Sequence, residues 1–256
     1  MVQAAYVTHP IHFPVSLFVL ALSVTLAAGV VKGMVGFAMP MVMISGLSSF
    51  IAPELALAGL ILPTVVANGQ QALRQGLGQA WASVKAFKVF LGVGAVVLLL
   101  AAQLVSVIPA HLLLLMIGLA VCAFTALQLA GFSPTLRERS PRVDALIAAV
   151  AGVTGGVSGI WGPPTVMYLN ALDVEKRESL RIQGVIYGLG AVLLLISHIG
   201  SGVLNARTLP FSAFLLIPAM VGMQIGFRLH ERIDQASFKR LTQIVLFVAG
   251  LNLIRR

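Results

Sequence analysis

Charge is scarce in this chain of 256 residues: 10% is charged and 59% is hydrophobic, where soluble domains carry roughly 25% charged residues. With a mean hydropathy of +0.99, the composition excludes a water-soluble globule. Cysteine is nearly absent. A single residue, Cys122, excludes an internal disulfide and a cysteine metal cluster, and its apolar neighbours make it a small packing residue. Acid is scarce too, with 8 Asp and Glu against 17 Lys and Arg. Every acid maps to a loop or a segment end. Proton and sodium relays usually use a carboxylate at mid-membrane depth, so a cation carrier or an ordinary proton antiporter is disfavoured. No metal site and no cofactor is expected. Residues 1–14 contain no Lys or Arg, so they lack the positive region of a cleaved signal, and Val15 onward is expected to be a retained membrane helix.

What the chain does contain is apolar runs along its whole length. Runs of about 20 residues without alternation exclude a membrane β-barrel and predict a polytopic helical protein. Ten segments emerge, at 15–35, 39–51, 54–73, 86–106 and 111–131, then 143–161, 163–173, 179–200, 209–228 and 238–254. The second segment of each set of five is too short to cross about 30 Å of hydrocarbon. The first two segments of each set are therefore expected to form a hairpin whose tip lies inside the membrane. Loops are expected at 74–85 and 132–142.

The basic residues are topology information, not a nucleic-acid footprint. Arg207, Arg255 and Arg256 fall on one side and Lys32 within the membrane; all the others fall on the opposite side. The positive-inside bias makes that richer side cytoplasmic and places both termini outside. Five segments is an odd number, so the second set enters from the opposite face. The expected fold is all-α, with two inverted repeats, 1–131 and 143–256, joined by a cytoplasmic linker at 132–142.

The hairpin tips carry aligned motifs. Gly29-Val-Val-Lys32-Gly33-Met-Val-Gly36-Phe-Ala-Met-Pro40 pairs without a gap with Gly152-Val-Thr-Gly155-Gly156-Val-Ser158-Gly159-Ile-Trp161-Gly162-Pro163. Broken apolar segments at matching positions of two halves point to a secondary transporter's binding site. Non-helical backbone survives at such depth only when buried in protein or lining a cavity. The unpaired N–H groups of the following half-helices, from Met41 and Thr165, favour an anion. Close helix packing through small residues explains a single Gly-x-x-Gly equally well. Two aligned copies, each followed by proline, favour the pathway.

Lys32 is the one charge clearly inside an apolar segment. At a helix centre it costs roughly 2.5–3.5 kcal/mol, so it faces a partner or a cavity, or else snorkels to the surface; the functional reading is a positive field for an anionic substrate. Asn68, Gln71, Ser158, Gln183 and Tyr187 are candidate hydrogen-bond partners of that anion. Trp161 could wall the site or stack on an aromatic substrate.

The repeated Gly-rich hairpin followed by Pro, with Asn68 and Arg74 ending the third segment, resembles the TauE/SafE sulfite exporter family across essentially the whole chain. The resemblance implies a transporter of sulfur-containing anions, sulfite-like or sulfonate, with Gly33, Gly36, Pro40, Gly155, Gly156, Gly159, Gly162 and Pro163 surrounding the substrate. Lys32 stands where the second copy has Gly155, a departure that bears on substrate identity. The expectation is therefore a non-enzymatic carrier working by alternating access in a bacterial inner membrane. Its partners would be a small anion, the lipid bilayer and a second copy in a homodimer.

Two rival readings remain at this point. Gly156-Val-Ser158-Gly159 spells the nucleophile motif of intramembrane serine proteases, with His198 as a base. The aligned first copy has Val35 in place of Ser158, which the repeat explains without a nucleophile. A non-transporting scaffold would favour apolar hairpin tips, and these tips are polar.

Overall fold

The computed structural model describes residues 14–103, 110–131, 135–136, 138–158 and 161–255. Every regular element among them is an α-helix: α1 (Val15–Val35), α2 (Met39–Leu47), α3 (Pro53–Leu73), α4 (Leu77–Ala86), α5 (Lys88–Gln103), α6 (Ala110–Leu129), α7 (Pro141–Ser158), α8 (Gly162–Ala171), α9 (Lys176–Gly200), α10 (Leu209–Arg232) and α11 (Gln235–Arg255). Among the described residues α1, α3, α9 and α10 are each long and apolar enough to cross a membrane, and α4 with α5 adds a fifth candidate bent by 72°. Large apolar side chains such as Val96, Leu100, Ile196, Ile217 and Val248 stand exposed on the long helices. That is the surface a membrane protein turns to lipid, where burial in a protein core is not required of an apolar residue.

Local chemistry sets the helix ends. α1 stops because Gly36 turns left-handed at φ 90° and its N–H closes back on Lys32 O at 2.7 Å, a C-terminal cap that a glycine adopts without a Cβ clash. α2 starts one short link later with Pro40 in its first turn, where the missing N–H costs no helical bond. α11 starts on Asp234, whose carboxylate accepts the Ser237 N–H at 2.7 Å. That bond holds the exposed Asp234 carboxyl below its ordinary value.

One expectation is corrected here. Residues 74–85 are not a plain loop, because most of them form α4. Gly76 at φ 92° ends the preceding turn, and Leu77-Gly-Gln-Ala-Trp-Ala-Ser-Val-Lys-Ala then runs as a ten-residue helix. It mixes Gln, Ser and Lys with apolar residues, so a search for continuous apolar runs passes over it.

The chain forms two compact units. The first holds the described residues through Gln71 together with Gly190–Arg232. Its core is α1 packed along α10. A Cβ on Gly29, Gly33, Gly222 or Gly226 would run into the backbone of the facing helix, with Gly226 Cα at 2.8 Å from such an atom on Gly33. Small residues are what let two membrane helices approach so closely. Pro63 inside α3 cannot donate to Gly59 O. Ser212 of α10 compensates: its hydroxyl donates to Gly59 O at 3.2 Å and accepts the Leu62 N–H at 3.1 Å.

The second unit holds Ala72–Leu189 and the described residues from Ile233. Here α5 packs on α7 and α6 on α11, again at glycines. A Cβ on Gly152 would lie 2.9 Å from Gly94 O, and one on Gly250 2.6 Å from Cys122 Sγ.

Candidate functional site

In the first unit the break between α1 and α2 draws three polar side chains together. Lys32 is 1% exposed, Asn68 2% and Gln71 1%. Lys32 Nζ donates to Asn68 Oδ1 at 2.7 Å and to Gly36 O at 3.2 Å. Gln71 Nε2 donates to the same carbonyl at 3.1 Å. Lys32 therefore points into the protein rather than along its surface to the interface, because its head group finds an amide oxygen and a carbonyl left over by the broken helix. Both named acceptors are neutral dipoles, which hold an ammonium without cancelling its charge.

The link itself is unusual. Gly36 lies at φ 90° and Ala38 at φ 70°. A left-handed alanine costs roughly 1–2 kcal/mol, so the turn is held by its surroundings: Phe37, Ala38 and Met39 are all buried. His230, in the last turn of α10, lies 3.1 Å through Nδ1 from Met34 O. A carbonyl only accepts, so Nδ1 carries the proton. Gly33 turns toward α10 rather than toward Lys32's partners, and Pro40 is half-buried as the second residue of α2.

In the second unit the corresponding break lies between α7 and α8. Gly155 gives up its side-chain space to Trp161, whose ring lies 2.8 Å from where a Cβ would stand. Gly156 is half-buried in the last turn of α7. Ser158 ends that helix, but its side chain, and Gly159 altogether, lie outside the described residues. α8 opens at Gly162 with Pro163 and Pro164 in its first turn and Trp161 before it. Two adjacent prolines supply no N–H to that end, so its free donors beyond Gly162 begin at Thr165, as the sequence reading placed them. Tyr187 of α9 is buried and donates its hydroxyl to Gly162 O at 3.1 Å. Gln183 is fully buried and bonds to Ser179 one turn earlier, at 3.2 Å. His198, in the last turn of α9, belongs to the first unit and not to this one.

Sequence reasoning passed over one cluster in this unit. Asp144, read as a segment-end acid, is buried. It accepts the Tyr168 hydroxyl at 2.7 Å and pairs with Arg139 at 2.5 Å. Arg139 also donates to Ala86 O and stands 3.9 Å from the centre of the Phe87 ring, while Tyr168 stacks on Phe90 at 6.3 Å between centroids. Desolvation alone would lower the Arg139 guanidinium; its bond and attraction to Asp144, with Tyr168, outweigh that and hold its pKa above the ordinary value. The cluster ties the linker, the α4–α5 bend, α7 and α8 together. The signal available in sequence was an Arg five residues before an acid in a helix's first turn.

An all-helical chain with several membrane-length helices and a proline-led half-helix after each glycine-rich break is a polytopic membrane protein. The sequence model of the sulfite exporter TauE/SafE family matches residues 21–253, and the chain belongs to that family. Membership makes it a membrane transport protein and implies a sulfur-containing anion as its cargo. No curated protein and no solved structure matches the chain.

Proposed function

We propose that the chain is a secondary transporter of a sulfonate- or sulfite-like anion, with Lys32 as the positive charge of its binding site. The observation that carries this reading is a fully buried lysine at a helix break, bonded to the neutral Asn68 side chain and the Gly36 carbonyl. A buried cation is costly in hydrocarbon and is retained where a function needs it. Gly36, Pro40, Asn68 and Gln71 line the same break in this proposal, while Gly33 serves the contact of α1 with α10. In the second hairpin Gly155, Gly156, Ser158, Gly159, Trp161, Gly162, Pro163, Gln183 and Tyr187 contribute shape and hydrogen bonding without charge.

The mechanism proposed is alternating access of two inverted five-segment repeats, 1–131 and 143–256, in a bacterial inner membrane with both termini outside. A recurring pairing supports it. α1 packs on α10 in one unit and α7 on α5 in the other, so the first helix of each repeat lies against the fourth segment of its counterpart. Gly29 and Gly152, aligned in sequence, both occupy such a contact.

The test is efflux from proteoliposomes loaded in parallel with sulfite, sulfate, taurine, sulfoacetate or an arylsulfonate. One sulfur anion should leave faster than from protein-free vesicles, and Lys32→Gln should abolish that flux. Equal flux of every anion, or full activity in the variant, would overturn the assignment.

A further inference from the structure

α4 has two faces with opposite fates. Ala80 and Ser83 are buried, and Ser83 Oγ accepts the Arg181 Nε–H at 2.8 Å, which fastens that face to α9 within the second unit. On the other face Leu77 is 77% and Trp81 59% exposed, one turn apart, and Lys85 follows one turn later with its ammonium 5.8 Å from the Trp81 ring centre. Lys88, exposed, opens α5 after the bend at Phe87. From residue 55 to residue 137 the chain contains no Asp or Glu, so nothing acidic in that stretch offsets these lysines.

Neither bulk medium suits this stripe. Water does not favour an exposed leucine and tryptophan side by side, and hydrocarbon does not tolerate two lysines with Gln79. The boundary between them suits both, because an amphipathic helix can bury its apolar residues at headgroup depth and keep its cations among phosphates. The bend supplies the orientation. α4 turns 72° from α5, so it lies near the membrane plane when α5 runs near the normal. Tryptophan is also the residue that settles at this depth.

We propose that α4 is an interfacial helix that collects anionic phospholipid, with Leu77 and Trp81 seated among the acyl-chain tops and Lys85 and Lys88 engaging the headgroup phosphates. The inference rests on membrane insertion of the chain and is independent of which anion is carried. Charge complementarity selects an anionic lipid, because a lysine near such a surface favours it by about fivefold each.

The full-length protein, reconstituted in phosphatidylcholine, tests this with brominated lipids. The chain has 2 tryptophans, so the difference in fluorescence between the protein and Trp81→Phe isolates Trp81. At equal mole fraction and low salt, brominated phosphatidylglycerol should quench Trp81 several-fold more than brominated phosphatidylcholine. Lys85→Gln with Lys88→Gln should remove that preference while quenching by phosphatidylcholine persists; both residues are exposed, so the fold is not at stake. Equal quenching by the two lipids, or a preference that survives the double substitution, would overturn the proposal. A Trp81 that neither lipid quenches would overturn it too, and would mean that protein, such as a second copy of the chain, covers the stripe.

Discussion

The break after α1 passes through two left-handed residues, Gly36 and Ala38, and gathers a buried lysine and two amides around one carbonyl. The break before α8 approaches through Trp161 at φ −106°, carries two prolines, and uses the Tyr187 hydroxyl on Gly162 O. The same aligned motif therefore serves a charged end in one unit and an uncharged, aromatic one in the other. Lys32 replaces the glycine that, as Gly155, makes room for Trp161. One substitution thus exchanges a bulky neutral wall for a cation. Charge sits where its partners are preformed, and the cluster that braces the second unit, Arg139–Asp144–Tyr168, is separate from its break.

The contrast can be broken most severely at the helix contacts. Gly33→Ala puts a Cβ against Met223 O and 2.8 Å from Gly226 Cα, all backbone, so nothing can rotate away. It should destabilise the protein by upwards of about 3 kcal/mol, at or beyond the usual range for overpacking. Gly152→Ala, at 2.9 Å from Gly94 O, should cost about 1–2 kcal/mol less. Melting temperatures of the two purified variants decide the order, and equal losses would mean the two contacts are equally tight.

Next in size is the brace of the second unit. Asp144→Asn keeps the shape but removes the charge facing Arg139 and weakens the bond to Tyr168. Arg139 is about a third exposed, which discounts the effect to about 2 kcal/mol from the larger cost of a wholly buried pair. Melting should show this loss with anion binding at the first hairpin unchanged. A variant as stable as the parent would show that the cluster does not brace the unit.

Smallest is the relief of backbone strain. Ala38→Gly should stabilise the first hairpin by up to about 1 kcal/mol, because glycine accepts φ 70° freely. The gain falls short of the full strain because glycine loses more entropy on folding. Chemical denaturation of the two proteins side by side gives the sign; a loss of stability would mean the Ala38 methyl contributes more by packing.

Much of this was legible in the sequence for simple reasons. Apolar runs of membrane length and their glycine and proline breaks are local features, and a lone lysine inside such a run stands out without any structure. Asn68 was legible as a polar residue in an apolar segment; that it meets Lys32 was not, because the bond joins residues from different helices. The Ser212 bridge to Gly59 and Leu62 beside Pro63 spans even more of the chain, and His230 reaches Met34 from the far end of α10. Gly33 shows a different limit. Its presence was plain, but whether it faces a substrate or a neighbouring helix depends on which side of α1 meets α10. α4 was missed because its stripe changes from Leu and Trp to Lys within ten residues.

The central claim is that Lys32 is held in the first hairpin for anion binding and not for stability. The most direct test compares melting temperatures of the purified protein and of Lys32→Met, each alone and in a titration with the transported anion. Binding to the folded state raises apparent stability with ligand concentration. The account predicts that Lys32→Met melts no lower than the parent without ligand, since it removes a buried charge, and loses the anion-dependent rise. A variant that melts markedly lower yet keeps the full anion-dependent rise would contradict it and make Lys32 a structural residue.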